Sequence, residues 1–342
     1  MKWNAFNVVS PAIDKTGERI FPFQFGEWLK LTIISCLAAG RRGGFNGGSG
    51  GGGGSGSGGS GSGSADLENF KSQVREFIRN YWIFGALIFS VIFVIATILS
   101  YISSVFTFIF IDSLVEKKAR FTFSKNHSKG VSLFLFKFVV TIITLLIIGG
   151  LAFPYVYNFM AGNPILSSVG IPYIVFSIIA LIVYLILLWI VFLFLYDFAV
   201  PYTYAKGTSI KFSLGQIWGK IRENPLEVFV YWLARLVLGI ALAIIAVIIA
   251  ILVFIVFALI GLLIFGIGFL LYKLIGGLLF FIILGVIVGI ILLAVFLIAI
   301  GMCLLPFTIF SRYFELLNFE QLTGIKLFKT SKAGKMARKN GK

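Results

Sequence analysis

Charged side chains are scarce in this sequence: Asp, Glu, Lys and Arg together make up 12% of the residues, whereas hydrophobic residues make up 59%. The scarcity is greatest from Leu236 to Ser311, where Lys273 carries the only charge. A helix needs about 20 apolar residues to cross a bilayer, so this stretch is long enough for two crossings. This pattern excludes an ordinary water-soluble domain and predicts an all-α, polytopic membrane protein.

Histidine and cysteine are almost absent, which leaves few residues for metal or nucleophilic chemistry. His127 is the only histidine and lies in a basic connection, and Cys36 and Cys303 both lie in apolar runs. Such cysteines are typical of small hydrophobic residues rather than of a disulfide or a metal pair. The sequence also lacks a Ser-His-Asp pattern and a phosphate-binding glycine loop. We therefore expect no catalytic residue, no cofactor and no metal site, and the chain is not predicted to be an enzyme.

Acidic residues are outnumbered by basic ones, 13 to 29. The basic residues are concentrated in the connections 112–130 and 197–229 and in the tail from Ile325, whereas residues 153–170 carry no charge and residues 265–277 carry one. Basic connections remain in the cytoplasm, which predicts a multi-pass protein of the cell membrane with a cytoplasmic C-terminus. The expected partners are anionic lipids of the inner leaflet, together with an unidentified membrane protein, and no nucleic acid is expected.

Long apolar runs divide the chain into membrane segments. The runs are Tyr81–Ile111, Val131–Ala152, Ile171–Tyr196 and the two crossings that follow Glu227. A shorter run at residues 26–40 has about 15 residues, less than a comfortable crossing requires. The protein therefore has five crossings, or six if residues 26–40 also cross. Pro154, Asn163 and Pro164 predict a loop over residues 153–170.

Composition further divides the chain into four regions. Residues 1–40 form an amphipathic helix and a short hydrophobic segment, and residues 41–64 form a Gly/Ser-rich flexible linker. Residues 65–324 form the helical membrane domain, and residues 325–342 form a basic disordered tail.

Apolar residues at helical spacing predict two amphipathic helices on the membrane surface. The first is indicated by Val9, Ile13 and Ile20, and the second by Ile210, Leu214, Ile217, Trp218 and Ile221. The offsets between Val9, Ile13 and Ile20 recur in Ile210, Leu214 and Ile221, which favours an internal repeat.

Two further motifs recur with a period of about 100 residues. Basic residues occupy the first turns of three ingoing segments, at Lys30, Lys137 and Arg235. An aromatic-Thr pair lies near the inner end of three outgoing segments, at Thr107, Thr203 and Thr308. We therefore predict three pseudo-repeats, each with an ingoing and an outgoing helix, and this repetition favours six crossings over five.

The cations of these repeats are the first candidates for a functional role. Lys30, Lys137 and Arg235 could hold lipid phosphate at the inner interface, or could reach the headgroups without a specific role, as long cationic side chains do near helix ends. Asp112 and Asp197 close outgoing segments at the same level. These acids could pair with the cations or could remain in water without a partner.

Short motifs resemble those of a poorly characterised group of archaeal multi-pass membrane proteins. The residues that carry the resemblance are Trp3 with Asp14, Phe21-Pro22-Phe23, Trp28-Leu29-Lys30, Leu133-Phe134-Leu135-Phe136-Lys137, Val200-Pro201, Tyr231 to Arg235 and Arg312-Tyr313-Phe314. More remotely, the layout is similar to the membrane domain of some glycerophosphodiester phosphodiesterases. The resemblance implies a membrane module without that activity, because this chain has no room for a catalytic barrel.

Two functional hypotheses follow from these observations. The first is a non-enzymatic membrane protein whose surface helices and basic inner face engage lipids or a partner protein. The alternative is a transporter or lipid permease with a path between the pseudo-repeats. A cavity lined by Thr107, Thr203 and Thr308 would favour the alternative.

Overall fold

All regular structure in the described part of the chain is helical, as predicted. A computed structural model describes residues 5–21, 23–38, 64–163, 169–275 and 278–328. The helices are α1 (Val9–Ile20), α2 (Phe25–Ala38), α3 (Ser64–Val115), α4 (Phe123–Ala161), α5 (Ile171–Phe194), α6 (Val200–Lys206), α7 (Ile210–Glu223), α8 (Pro225–Ile275) and α9 (Leu278–Thr323). A 3₁₀ turn precedes α1 at Ala5–Val8, and a π-helical turn links α5 to α6 at Leu195–Ala199.

Five helical segments are long and apolar enough to cross a membrane. They are Ile83–Val115, Phe123–Ala161, Ile171–Lys206, Pro225–Lys273 and Ile282–Thr323. Helix satisfies all backbone hydrogen bonds within one segment, which is why such apolar runs are stable in lipid only in this form. The sixth candidate, residues 26–40, contains α2, whose 14 residues are fewer than a crossing requires.

The buried core lies at one end of the bundle, which we call the core end. At most 11% of the most apolar window of any of these segments is buried, so most of their middle length faces outward. Near the core end the helices instead meet closely. Tyr313 of α9 donates a hydrogen bond to the carbonyl of Leu114 at the end of α3, and Arg312 donates to the carbonyl of Tyr196 in the π-helical turn. The ends of α3, α5 and α9 and the starts of α4 and α8 therefore converge there.

Helix packing places the N-terminal helices at the core end as well. α1 packs against α9, and α2 packs against both α3 and α9. Lys117, in the connection after α3, forms an ion pair of 2.6 Å with Glu18 of α1. At 1.5 Å per residue, the 52 residues of α3 extend about 77 Å away from this end. α1 and the start of α3 consequently lie at opposite ends of the bundle.

The predicted loop over residues 153–170 is wrong in its first half. α4 continues through Pro154 to Ala161 and ends at Gly162, whose φ of 80° is readily adopted only by glycine. Proline is tolerated within a membrane helix because neighbouring groups satisfy the freed carbonyl. The carbonyl that lacks an N–H donor because of Pro154 is that of Gly150, whereas the side chain of Asn158 donates to the carbonyl of Pro154 itself. Pro172 lies in the first turn of α5, where proline is tolerated.

Other boundaries also differ from those predicted. α4 begins at Phe123 rather than near residue 131, and α8 extends into the predicted turn 265–277 as far as Ile275. The connection 197–229 is itself largely helical, because it contains most of the π-helical turn, α6, α7 and the start of α8. Helices in this chain therefore extend beyond the apolar runs that indicate them.

The buried face of α1 differs from the predicted apolar face. Ile13 is 56% exposed, whereas Ala12, Thr16 and Ile20 are buried. These residues recur every four positions, so they form a narrow stripe on the helix face that packs against α9. In α7, Ile210, Ser213 and Ile217 are buried, and Trp218 is exposed.

The predicted linker and tail fall mostly outside the described residues. Of the tail, residues 325–328 are described and fold back onto the end of α9. The backbone N–H of Phe328 donates to the carboxylate of Glu320 at 2.9 Å, and the ammonium of Lys15 lies 4.0 Å from the centre of the Phe328 ring.

Candidate functional site

Asp112 is the centre of a buried polar cluster at the core end. Its carboxylate is 2% exposed and accepts hydrogen bonds from Lys125 Nζ at 2.9 Å, Thr122 Oγ1 at 3.0 Å and Tyr204 Oη at 2.7 Å. We call these four residues the Asp112 cluster. A buried carboxylate is stable only when it is paired and hydrogen-bonded, and here one cation and two hydroxyl groups meet that need.

The Asp112 cluster joins three helices that are distant in the sequence. Asp112 lies near the end of α3, Lys125 lies in the first turn of α4, and Tyr204 lies on α6. Lys129 extends the link, because its ammonium donates to the carbonyl of Tyr204 at 3.2 Å and lies 4.8 Å from the centre of its ring. The cluster thus positions α6 against the connection between α3 and α4.

A second polar cluster surrounds Asp197 in the π-helical turn. Asp197 is fully buried, accepts a hydrogen bond from Tyr231 Oη at 3.0 Å, and forms an ion pair with Arg235 of α8. Arg235 also lies 3.3 Å from a carboxylate oxygen of Glu315 on α9. Arg312 donates to the other carboxylate oxygen of Glu315 at 2.7 Å. These five residues form the Asp197 cluster.

The π-helical turn explains how Asp197 reaches this position. A π turn adds a residue to the helical repeat and rotates the side chains that follow it, and such turns are frequent at functional sites. All five residues from Leu195 to Ala199 are buried. The Asp197 cluster consequently connects α5, α8 and α9 through charges in the protein interior, which is where an ion pair is least screened by solvent.

The three repeat cations do not occupy equivalent environments. Lys30 is exposed, Lys137 is buried, and Arg235 is 27% exposed at its side chain and belongs to the Asp197 cluster. Lys137 and Arg235 nevertheless approach the same turn, because Lys137 Nζ lies 5.2 Å from the centre of the Tyr196 ring and Arg235 pairs with the adjacent Asp197. Of the two predicted acids, Asp197 therefore pairs with a repeat cation, whereas Asp112 pairs with Lys125.

The three repeat threonines form hydrogen bonds inside the protein. Thr107 donates to the carbonyl of Ser103 at 2.8 Å, and Thr308 donates to the carbonyl of Leu304 at 3.2 Å. Thr203 shares a hydrogen bond of 2.7 Å with the hydroxyl of Ser213 on α7. Their hydroxyl groups thus support local helix geometry and the α6–α7 contact.

The start of α2 is held to the α3–α4 connection by a third set of polar contacts. Glu27 accepts a hydrogen bond from the backbone N–H of Ala119 at 3.0 Å and pairs with Arg19 at 3.4 Å. The Ala119 N–H and, to a lesser extent, Arg19 hold the pKa of this carboxyl below its usual value. Trp28 Nε1 donates to the carbonyl of Ile20, which fixes the turn between α1 and α2.

The three residues considered for metal or nucleophilic chemistry have different surroundings. His127 is exposed and lies against the rings of Tyr101 and Phe123. Cys36 and Cys303 are free and exposed. Among the described residues, no group of three or more His, Cys, Asp or Glu side chains could hold a metal ion.

Sequence analysis missed Lys125, Tyr204, Arg312 and Glu315 as partners of the buried acids. Arg312 and Glu315 are three residues apart on α9, where a charged pair follows a long apolar run. That spacing places both side chains on one helix face and is a usable signal. Nothing in the sequence indicates that this face meets Asp197 and Arg235.

The five apolar helices, their outward-facing middle regions and the interior charge clusters define the class of an integral, polytopic helical membrane protein. Within this class, the chain belongs to a family of unknown function, DUF7544, whose family model matches residues 3–324. This match agrees with the predicted resemblance to a poorly characterised family, while the archaeal origin and the likeness to phosphodiesterase membrane domains stay predictions. The comparisons found no match among curated proteins and none among solved structures.

Proposed function

We propose that this protein is a non-enzymatic membrane module whose core end binds anionic lipid headgroups. The observation that carries the proposal is an unequal distribution of charge at that end. Asp112, Asp197 and Glu315 are at most 2% exposed and have cationic partners inside the protein. Their negative charges therefore contribute little to the outer surface.

Basic side chains at the same end are instead exposed. They include Lys118 and Arg120 in the α3–α4 connection, Lys206 at the end of α6 and Lys211 at the start of α7. None of these four forms a salt bridge with another described residue. Each Lys or Arg near an anionic membrane surface contributes about 1 kcal/mol of attraction. A surface of unpaired cations beside the membrane segments is therefore suited to phosphate-bearing headgroups.

The proposed orientation follows from the same charges. Basic connections favour the cytoplasmic side, so the core end faces the cytoplasm and the end of α9 lies there with it. In this orientation α1 and α7 lie at the inner interface as the two predicted surface helices, within three pseudo-repeats. Lys30 is the repeat cation placed to contact headgroups, because it is exposed at the start of α2.

Transport remains the alternative, but the repeat threonines do not favour it. A path between pseudo-repeats was predicted to be lined by Thr107, Thr203 and Thr308, and their hydroxyl groups are directed to internal partners. The buried acids likewise bond to cations in the protein, which suits a structural role better than proton abstraction from a lipid.

Lipid co-purification tests the proposal. The full-length protein is extracted from membranes that contain phosphatidylglycerol and phosphatidylcholine, and the bound lipids are measured by mass spectrometry. The variant K118Q/R120Q/K206Q/K211Q is expected to lower the ratio of anionic to zwitterionic lipid about tenfold, because four attractive charges are removed.

Two controls make this test specific. The charge-conserving variant K118R/R120K/K206R/K211R is expected to retain the wild-type ratio. The variant K273Q removes an exposed cation from the last turn of α8, far from the core end, and is also expected to retain it. An unchanged ratio in the glutamine variant, or an equal fall in K273Q, would refute the proposal.

A further inference from the structure

An anion is held between three parts of the chain at the core end, and that anion is the side chain of Glu27. Its oxygen Oε2 accepts a hydrogen bond from the backbone N–H of Ala119 at 3.0 Å and lies 3.4 Å from Nη2 of Arg19. Arg19 lies on α1, Glu27 in the first turn of α2, and Ala119 in the connection between α3 and α4. We call these three residues the Glu27 site.

The guanidinium of Arg19 is used only in part by this contact. Its side chain is 8% exposed, and its Nε has no hydrogen-bond partner among the described residues. The Nε–H and one Nη2–H of a guanidinium point in the same direction and together bind two oxygens of one carboxylate or phosphate. In Arg19 only Nη2 approaches an oxygen, at a distance that is long for a charged hydrogen bond. Buried donors normally have an acceptor, so the free Nε–H indicates that a second oxygen belongs there.

Positive charge exceeds negative charge around the Glu27 site. Lys30 lies one turn after Glu27 on α2 and attracts its carboxylate. Lys117 pairs at 2.6 Å with Glu18, the neighbour of Arg19 in the sequence. Three cations thus share two carboxylates. The start of α2 attracts anions further, because the dipole of a helix is positive at its N-terminal end. A ligand with more than one negative charge is therefore favoured here.

The backbone that presents the Ala119 N–H has an uncommon conformation. Among the described residues, Lys117 is the only one other than glycine with a positive φ, at 55°. This left-handed conformation is unfavourable for a residue with a Cβ and persists where surrounding contacts impose it, frequently at functional sites. Here the ion pair of Lys117 and the hydrogen bond of Ala119 hold the connection in place. The N–H of Ala119 is consequently already directed toward an anion.

We propose that the Glu27 site binds a terminal phosphate group in competition with the Glu27 carboxylate. A terminal phosphate has three free oxygens. Two of them match the Nε–H and Nη2–H of Arg19, and the third accepts the N–H of Ala119. The side chain of Glu27 is 31% exposed, so it can turn toward water when the ligand enters. For the placement of this site at the inner leaflet, where lipid phosphates are available, the proposal rests on the proposed function.

Titration calorimetry with the full-length protein in dodecyl maltoside tests this proposal, with dioctanoyl phosphatidate as the probe. R19K keeps the charge but removes the paired donors, and it is expected to weaken binding about tenfold. E27Q removes the competing charge and is expected to strengthen binding about tenfold. E116Q removes an exposed carboxylate from the same connection without contacting Arg19. This matched control is expected to bind as the wild type does.

The opposite signs of these effects separate ligand binding from a purely structural role of the ion pair. Misfolding of R19K could also weaken binding, but misfolding cannot produce the gain that is expected in E27Q. Unchanged affinity in E27Q, or an equal gain in E116Q, would refute competition by Glu27. Normal binding by R19K would refute the role assigned to the Arg19 guanidinium.

A comparison of probes identifies the ligand. Dioctanoyl phosphatidylglycerol has a phosphodiester with only two free oxygens and is expected to bind about tenfold more weakly than dioctanoyl phosphatidate. Equal binding of the two would refute the terminal phosphate. Inorganic phosphate distinguishes the sources of that group. An affinity equal to that of phosphatidate assigns the site to free phosphate, and a much weaker one assigns it to a lipid.

Two cross-tests separate this proposal from the proposed function. The four-site glutamine variant of the basic surface is expected to keep its affinity for dioctanoyl phosphatidate within about threefold, because exposed charges contribute little in solution. R19K is expected to keep the wild-type ratio of anionic to zwitterionic lipid on co-purification. Loss of phosphatidate binding in the four-site variant would refute a distinct site, whereas failure of lipid enrichment alone would refute only the proposed function.

Discussion

At the scale of single residues, several charged side chains of this apolar chain form ion pairs inside the protein. Asp197 and Glu315 are buried, and both pair with Arg235. Glu315 also pairs with Arg312. A buried ion pair rarely adds much stability compared with apolar packing, but removal of one partner leaves an uncompensated charge. The Asp197 cluster therefore specifies how α5, α8 and α9 meet more than it adds to their stability.

Replacement of Arg235 tests this interpretation. R235M leaves Asp197 without its cation and is expected to lower the free energy of unfolding by about 3 kcal/mol. The double variant R235M/D197N is expected to recover about half of that loss, because the unpaired charge is also removed. SDS-induced unfolding of the purified protein in micelles measures both values.

The ion pair of Asp112, whose cation is half-exposed, serves as the control for this prediction. Lys125 pairs with Asp112, but its own side chain is 52% exposed, so water can replace it. K125M leaves Asp112 with the hydroxyl groups of Thr122 and Tyr204 as well as water, and is expected to cost about 1 kcal/mol, less than R235M. A loss in K125M as large as that in R235M would mean that depth of burial does not decide the effect.

At the scale of helices, close approach is confined to particular positions. Gly130 of α4 lies against α3, where an added Cβ would come within 2.8 Å of the backbone Cα of Val105. Backbone cannot move aside as a side-chain end can, so only glycine fits here. The Asp112 cluster lies next to this crossing, and Lys125 and Thr122 depend on it for their distance from α3.

The variant G130A is expected to destabilise the protein by about 1–3 kcal/mol, because α4 must move away from α3 to accept the methyl group. Gly149 on the same helix has no atom within 4 Å of an added Cβ and provides the control. G149A is expected to be neutral or slightly stabilising, since alanine favours helix. Thermal unfolding monitored by size-exclusion chromatography compares the two, and equal losses would refute the close-approach explanation.

At the scale of the whole molecule, the two buried charge clusters lie at the same end of the bundle as the exposed cations Lys118, Arg120, Lys206 and Lys211. α1 is held at that end by Glu18 and Arg19, through Lys117 and Glu27. The start of α3 lies at the opposite end. Five helices of the described residues are long and apolar enough to cross a membrane, and a sixth crossing by residues 26–40 stays a prediction.

Cysteine accessibility in intact cells tests the orientation. Single reporters are introduced at Ser10, Ser57, Asn163 and Ser331 in a background that lacks Cys36 and Cys303. Ser57 and Asn163 reporters are expected to react with an impermeant maleimide from outside. Ser10 and Ser331 reporters are expected to react only after permeabilisation, because the core end is basic. Reaction of the Ser331 reporter in intact cells would reverse the orientation, and protection of the Ser57 reporter would favour five passages.

The sequence by itself determined the class of this protein and the number of long apolar helices. Hydrocarbon offers no hydrogen bonds, so runs such as Leu236–Ser311 have no stable alternative to helix. The predicted helix ends were less accurate. Pro154 was expected to lie in a loop but lies within α4, because a proline that terminates a helix in water can be accommodated in lipid. The buried stripe of α1, formed by Ala12, Thr16 and Ile20, was not indicated by hydropathy, because packing against α9 decides which side is buried.

Only the tertiary structure decided which charges meet. Asp112 and Asp197 were recognised as candidates, and pairing with a repeat cation was left open for both. Asp197 pairs with Arg235, whereas Asp112 pairs with Lys125, because each pairing depends on helix ends that converge from distant parts of the chain. Local sequence fixes where a side chain lies along its helix, whereas the crossing of helices fixes what that side chain faces.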